Sequence, residues 1–257
     1  MEDKRLMGSV EMNVNNGIAT ITFFHPAHNS MPGKLLAELA TTIKGAGERN
    51  DINVIILKSA GDRTFCAGAS FDELIAIKDL EVGHQFFMGF ANVINTCRQC
   101  PKFIIGRIQG KAIGGGVGIA SATDYCFATK FAAVELSELA IGIGPFVVGP
   151  AVQRKVGLSA FSQMAINATT LYSAEWAREK GLYTDIFDSV EDMDEAIAKL
   201  ANTLAQSNPE AMSMLKKVFW EGTEHWDELL STRAKMSGKL VLSDFTTNAI
   251  NSFKAKA

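Results

Sequence analysis

Cysteine is scarce. Cys66, Cys97, Cys100 and Cys126 are all that 257 residues hold, and they make no disulfide framework. Cys97 and Cys100 form a C-x-x-C, but no second C-x-x-C or H-x-x-x-H accompanies it and Pro101 follows at once. Two small apolar residues near a helix end are therefore expected, not half a zinc site. No block of lysine or arginine stands out, and net charge is −3, which argues against nucleic acid and anionic membrane as partners. No stretch approaches the roughly 20 apolar residues of a membrane span. Met1 to Met12 is charged and lacks the apolar segment of a secretory leader. Repeats and low-complexity segments are missing too. Together these absences predict a protein of the reducing cytoplasm. At 47% hydrophobic, the chain can bury a sizeable core without a staple.

The hydrophobic pattern gives the organisation. Ile18 to Phe24 alternates apolar residues with threonine and ends at His25-Pro26, which predicts a strand. Met31 to Gly47 predicts a helix with Ser30 as its N-cap. Val54 to Leu57 is a continuous apolar run, the mark of a strand buried on both faces. Phe103 to Ile108 is another; then come a glycine-rich turn (Gly110 to Gly118), a short helix (Ile119 to Thr123) and a strand (Tyr125 to Thr129). From Ser173 the pattern is helical: Ser173 to Lys180, Val190 to Gln206, Pro209 to Trp220 and Asp227 to Leu240. This predicts a mainly parallel α/β core over residues 1–170 and a helical region over 171–257.

Two glycine-containing turns carry the chemistry. Phe65-Cys66-Ala67-Gly68-Ala69-Ser70 follows one strand and Gly110 to Gly118 another. Each puts small residues where a strand becomes a helix, so that unpaired N–H groups face a ligand oxygen. Two such turns on neighbouring strands converge two donors on one carbonyl, an oxyanion hole. A steric role for the glycines is the competing account of the second turn. Gly116-Val-Gly118 also begins a dinucleotide pattern, but Ser121 stands where its last glycine belongs.

Several segments, in order along nearly the whole chain, resemble the enoyl-CoA hydratase/isomerase (crotonase) superfamily: HPAHNSM, TFCAGASFDEL, GKAIGGGVGIASATDYCFAT, LSELAIGIGP with QRKVG, and SAEWAREKGLYTDIF. The resemblance implies a crotonase-like spiral of β-β-α repeats with a helical C-terminal trimerisation region. It implies an acyl-CoA substrate, no cofactor beyond the CoA that the substrate carries, and a homotrimer or a pair of trimers. Residue by residue, it implies that Ala69 and Gly115 donate to the thioester oxygen. Glu138 would move a proton at the substrate's α or γ carbon. Ala67, Gly68 and Gly114 would lie along the substrate, and Phe253 near the adenine.

The departures narrow the chemistry. The family's hydratases carry a second glutamate where this chain has Gly118. Hydration normally needs one carboxylate to hold water and another to move the proton, so isomerisation of a 3-enoyl to a 2-enoyl thioester becomes easier to support. Decarboxylation of a malonyl- or glutaconyl-type thioester and simple acyl-CoA binding remain alternatives. A lysine often near the CoA phosphates is also missing; Lys216, Lys217, Lys254 and Lys256 are candidates to replace it, and each is expected at the surface. Glu135, three residues before Glu138, is expected to be structural; His84 and Asp72 are weaker candidates still.

Overall fold

The computed structural model describes residues 8–254. In chain order its elements begin with strands β1 (Ser9–Asn15) and β2 (Ile18–Phe24), helix α1 (Gly33–Glu48) and strands β3 (Val54–Ser59) and β4 (Thr64–Cys66). Helices α2 (Phe71–Ala76) and α3 (Leu80–Gln99), strands β5 (Phe103–Ile108) and β6 (Lys111–Ile113) and helix α4 (Gly115–Ser121) follow. Strands β7 (Tyr125–Thr129) and β8 (Val134–Glu135) lead through a 3₁₀ turn (Leu139–Ile141) into α5 (Gly149–Ile166). The remainder is α6 (Ala174–Glu179), β9 (Asp185–Phe187), α7 (Val190–Ala205), α8 (Pro209–Phe219), α9 (Trp226–Leu240) and α10 (Asp244–Lys254).

Two sheets result. The larger has the order β1-β2-β3-β5-β7-β9, parallel except for the β1–β2 hairpin, and the smaller is β4-β6-β8, all parallel. One strand of each pair enters the large sheet and the next enters the small one, then a helix returns. This is the expected β-β-α spiral. The apolar run of β3 has the predicted cause: Ile55 and Leu57 face the main core, whereas Val54 joins Ile105 and Phe127 beneath Met193, Ile197 and Ala201 of α7. A sheet covered on both faces needs apolar residues at nearly every position. Among the described residues no helix is long and apolar enough to cross a membrane.

Three local expectations fail for physical reasons. Ser30 does not cap α1. Its hydroxyl pairs with His25 Nδ1 (3.0 Å), the helix begins after Pro32, and the Gly33 N–H donates to Glu73 Oε2 of α2 (2.7 Å). The helix placed at Ile119 to Thr123 starts four residues earlier, because the glycines are its first turn. Lys216 is not a surface charge: it is 2% exposed, with Nζ 2.8 Å from Asp124 Oδ2 and donating to the Lys102 carbonyl (2.7 Å). Removing one partner of a buried ion pair costs about 3–5 kcal/mol. Lys216→Met should show that loss in urea denaturation; a loss near the roughly 1 kcal/mol or less of an exposed pair would refute the assignment.

Helix α3 was not apparent in the sequence, and it matters for the site. It packs along α9 at a crossing of two glycines, where a β-carbon on Gly83 would stand 2.8 Å from the Gly238 carbonyl oxygen. Close backbone approach of this kind brings a whole helix face down on the core. That face delivers Phe86, Phe87 and Phe90. Cys97 and Cys100 sit at the end of the same helix, free and buried, as expected of small apolar residues. Burial pushes the Cys97 thiol up to about 12 and the Cys100 thiol up as well.

Candidate active site

The first loop is held from below by the HPAHNSM turn. Asn29 is buried at positive φ (56°), and its amide donates to the carbonyls of Ala60 (2.8 Å) and Thr64 (2.9 Å). The Ala67 N–H then donates to the His28 carbonyl (3.2 Å), and the Met31 N–H to the Gly68 carbonyl (2.8 Å). Gly68 takes φ +86°, and a β-carbon there would lie 2.9 Å from the Ile113 oxygen and 3.5 Å from the Gly115 nitrogen. Only glycine brings the two loops this close. Ala69 follows, and its N–H has no backbone acceptor among the described residues.

The second loop is the start of α4. Gly114 is its N-cap at φ 50°, ψ −114°, and the Gly114 N–H donates to the Glu135 carbonyl of β8 (2.7 Å). Gly115 comes next; its N–H, in the first turn of a helix, likewise has no backbone acceptor among the described residues. The Ala69 and Gly115 amides therefore stand on adjoining loops, neither bonded to a backbone acceptor among the described residues.

The β6–β8 register decides where the carboxylate goes. Ile113 pairs with Glu135, and the chain turns so that Glu138 lies against Gly114. A β-carbon on Gly114 would be 3.1 Å from Glu138 Oε1. Although part of Glu138 reaches the cleft, its Oε2 is buried without a hydrogen-bond partner. Burial pushes this carboxyl up to about 7, against a lowering backbone hydrogen bond and with a smaller upward push from Glu135. A carboxyl poised near neutrality can both take and return a proton.

Ala67, Gly68, Ala69, Gly114, Gly115 and Glu138 all line one cleft. Glu138 is the one ionisable group among the described residues that line it. Apolar walls come from Phe87 and Phe90 of α3 and from Ile143, Phe146 and Val148 beyond Glu138. Phe253 is not in the wall. It is 45% exposed, its ring centroid 6.4 Å from that of Phe71, which does line the cleft. Glu135 also lies outside the lining, and His84 pairs its Nε2 with Ser231 Oγ (3.3 Å) away from it. Lys216 is committed to Asp124 elsewhere.

Sequence reasoning missed the α3 phenylalanines, Asn29 as the brace of the first loop, and Ser237, which reaches the cleft from α9. Asn29 was already within the quoted motif, so a signal existed. Nothing in the pattern flagged Ser237.

Comparison with known proteins agrees with this architecture. The chain is 24% identical over 268 residues to the peroxisomal Delta(3,5)-Delta(2,4)-dienoyl-CoA isomerase of Arabidopsis thaliana, spanning 98% of this chain and 95% of that one. It is 29% identical over 200 residues to the mitochondrial methylglutaconyl-CoA hydratase of Mus musculus, spanning 76% and 63%. In fold it is similar to the crystal structure of an enoyl-CoA hydratase from Bacillus halodurans, with a TM-score of 0.87 at 19% identity, covering 95% of this chain and 99% of that one. Residues 13–256 match the family described as enoyl-CoA hydratase/isomerase. With a match across nearly its whole length, the chain belongs to the enoyl-CoA hydratase/isomerase family.

Proposed function

We propose that this protein is an acyl-CoA enzyme that isomerises a 3-enoyl thioester to the 2-enoyl form, with Glu138 as its one proton carrier. The observation that supports this most is a single carboxyl, pushed up to about 7, in an apolar cleft beside two free amides. Glu138 takes the proton from C2, and the resulting enolate oxygen is held by the N–H groups of Ala69 and Gly115. Preorganised donors of this type stabilise the charge without rearranging. As the thioester carbonyl re-forms, the double bond moves to C2–C3 and C4 takes the proton from Glu138.

Ala67 and Gly68 lie where the CoA arm would pass, and the Phe71–Phe253 pair offers an aromatic face for adenine at the mouth of the cleft. The names of relatives, isomerases and hydratases of CoA thioesters, support the substrate class. Assembly as a homotrimer or a pair of trimers is part of this reading. Exposed Met214, Val218 and Phe219 on α8 support a subunit interface, and sedimentation will give the state. Four free, buried thiols support a reducing compartment.

The first test is calorimetric titration with acetoacetyl-CoA, whose enolate form fits two converging amides. Binding at micromolar to millimolar ligand, with none for free acetoacetate, is the expected outcome. Equal affinity for the free acid, or none for the thioester, would overturn the substrate class.

A further inference from the structure

The first loop is tied to the start of α1 by two hydrogen bonds, one on each side of Ala69. Upstream, the Met31 N–H donates to the Gly68 carbonyl (2.8 Å); downstream, the Gly33 N–H donates to Glu73 Oε2 (2.7 Å). Both donors belong to one short stretch of chain, so the segment from Gly68 to Glu73 is gripped at both ends by the same support. The upstream bond runs from backbone to backbone. The downstream bond depends on one carboxylate.

Local chemistry explains why that carboxylate is there. Ser70 caps α2, its Oγ accepting from the Glu73 N–H (3.4 Å). In an S-x-x-E pattern the glutamate ordinarily turns back to its own cap residue. Here Oε2 of Glu73 leaves α2 and reaches α1. Pro32, the N-cap of α1, offers no side-chain bond, and the first turn of that helix holds no acid. A helix N-terminus carries unbonded N–H groups and a partial positive charge, and a carboxylate satisfies both. Helix α2 has six residues, too few to hold its place by its own hydrogen bonds. Ala69, Phe71 and Leu74 of this segment line the cleft, whereas Glu73 does not.

We propose that Glu73 is a positioning residue: by holding α2 to the N-terminus of α1, it fixes the direction in which the Ala69 N–H meets the thioester oxygen. This inference rests on the reading of Ala69 as an oxyanion donor and adds to it a side chain that never touches the substrate. An amide loosened in this way still admits the ground-state thioester but stabilises the enolate less, so the loss falls on kcat and not on KM.

The experiment measures kcat and KM for isomerisation of 3-hexenoyl-CoA and, separately, the infrared carbonyl band of bound hexanoyl-CoA carrying carbon-13 at the thioester carbon. The infrared arm needs no turnover and decides alone if 3-hexenoyl-CoA is not converted. A thioester oxygen held by two N–H groups absorbs at lower frequency than a free one, and wild-type protein should show that lowering. Glu73→Ala should reverse much of it and lower kcat by up to about 10²-fold, the scale of a misplaced catalytic group. Glu73→Gln, whose amide oxygen can accept the same N–H, should restore most of both.

Gly33→Pro removes the donor instead, and it guards against failure of the alanine variant to fold. Proline suits the first position of a helix, and Pro32 at ψ 154° already has the conformation that precedes a proline. This variant should reproduce the alanine phenotype, and combining the two should add little, because both remove one bond. Wild-type kcat and band in Glu73→Ala, a change in KM alone, or a glutamine variant as impaired as the alanine one overturns the role of Glu73 while the oxyanion reading stands. No lowering of the band in the wild type removes Ala69 as a donor, and this inference with it.

Discussion

Glu138→Gln is expected to lower turnover by about 10² to 10⁴, the usual contribution of a positioned acid–base group. The side chain keeps its shape, so affinity for acetoacetyl-CoA should hold while the proton carrier is gone. Glu135→Gln should change turnover little, because that carboxyl lies outside the cleft. If Glu135→Gln were the inactive variant and Glu138→Gln the active one, the base would be misassigned.

The same substitution carries a stability signature of determinate sign. Burial raises the Glu138 carboxyl from an ordinary 4.5 to about 7 in the folded chain. Between those values the native state holds a proton that the unfolded chain has lost, so stability falls as pH rises through that window and levels off above about 7. By linkage at 1.36 kcal/mol per unit, the loss is at most roughly 3 kcal/mol. Glutamine does not ionise. Glu138→Gln should therefore melt several degrees higher than wild type at pH 8, with the gap shrinking toward pH 5. Wild-type turnover should rise with pH through about 7, as the base form appears. A melting difference independent of pH would show that Glu138 is not desolvated in the way the structure places it.

The second large effect concerns the Gly115 amide. Side-chain substitution cannot isolate it: a β-carbon at Gly115 would stand 2.1 Å from Phe90 Cε1, so alanine and proline alike would force the wall aside. Overpacking of that kind costs about 1–3 kcal/mol, enough to confuse a rate measurement. Replacing Gly115 by glycolate through unnatural-residue translation exchanges N–H for an ester oxygen and adds no carbon. Loss of one oxyanion donor should lower the rate by about 10² to 10³. Stability should fall by about 1 kcal/mol, because that N–H bonds to no backbone acceptor among the described residues but the Gly114 carbonyl, which accepts from the Val117 and Gly118 N–H groups, becomes a weaker ester acceptor. An ester variant with full activity would take Gly115 out of the site.

The contrast between these residues shows how far the sequence reached. Strand β7 and helices α6 to α9 were legible almost to the residue, because periodicity and capping are local properties, whereas α10 was not read. Ser173, Ser189 and Asn208 accept hydrogen bonds from the first turns of α6, α7 and α8. The glycine turns were legible for the same reason, since positive φ at Gly68 and Gly114 follows from the residue itself. Helix α3 was not, because its aromatic face is interrupted by Gly83 and Gly89, and those glycines make sense only against Gly238 and Leu36.

By itself, then, the sequence located strands β2, β3, β5 and β7, helix α1, helices α6 to α9 and the two glycine turns, and it singled out Glu138 as the candidate acid. It left open whether Gly118 meant a missing partner or an empty place for one, and the tertiary structure decided that. Residue 148 lies thirty positions from residue 118, yet a β-carbon on Gly118 would stand 2.5 Å from Val148 Cγ1, because α4 and α5 pack together. The raised proton affinity of Glu138 was decided in the same way. A glutamate in a sequence is an ordinary acid, and its proton affinity rises toward neutrality only when the fold buries it.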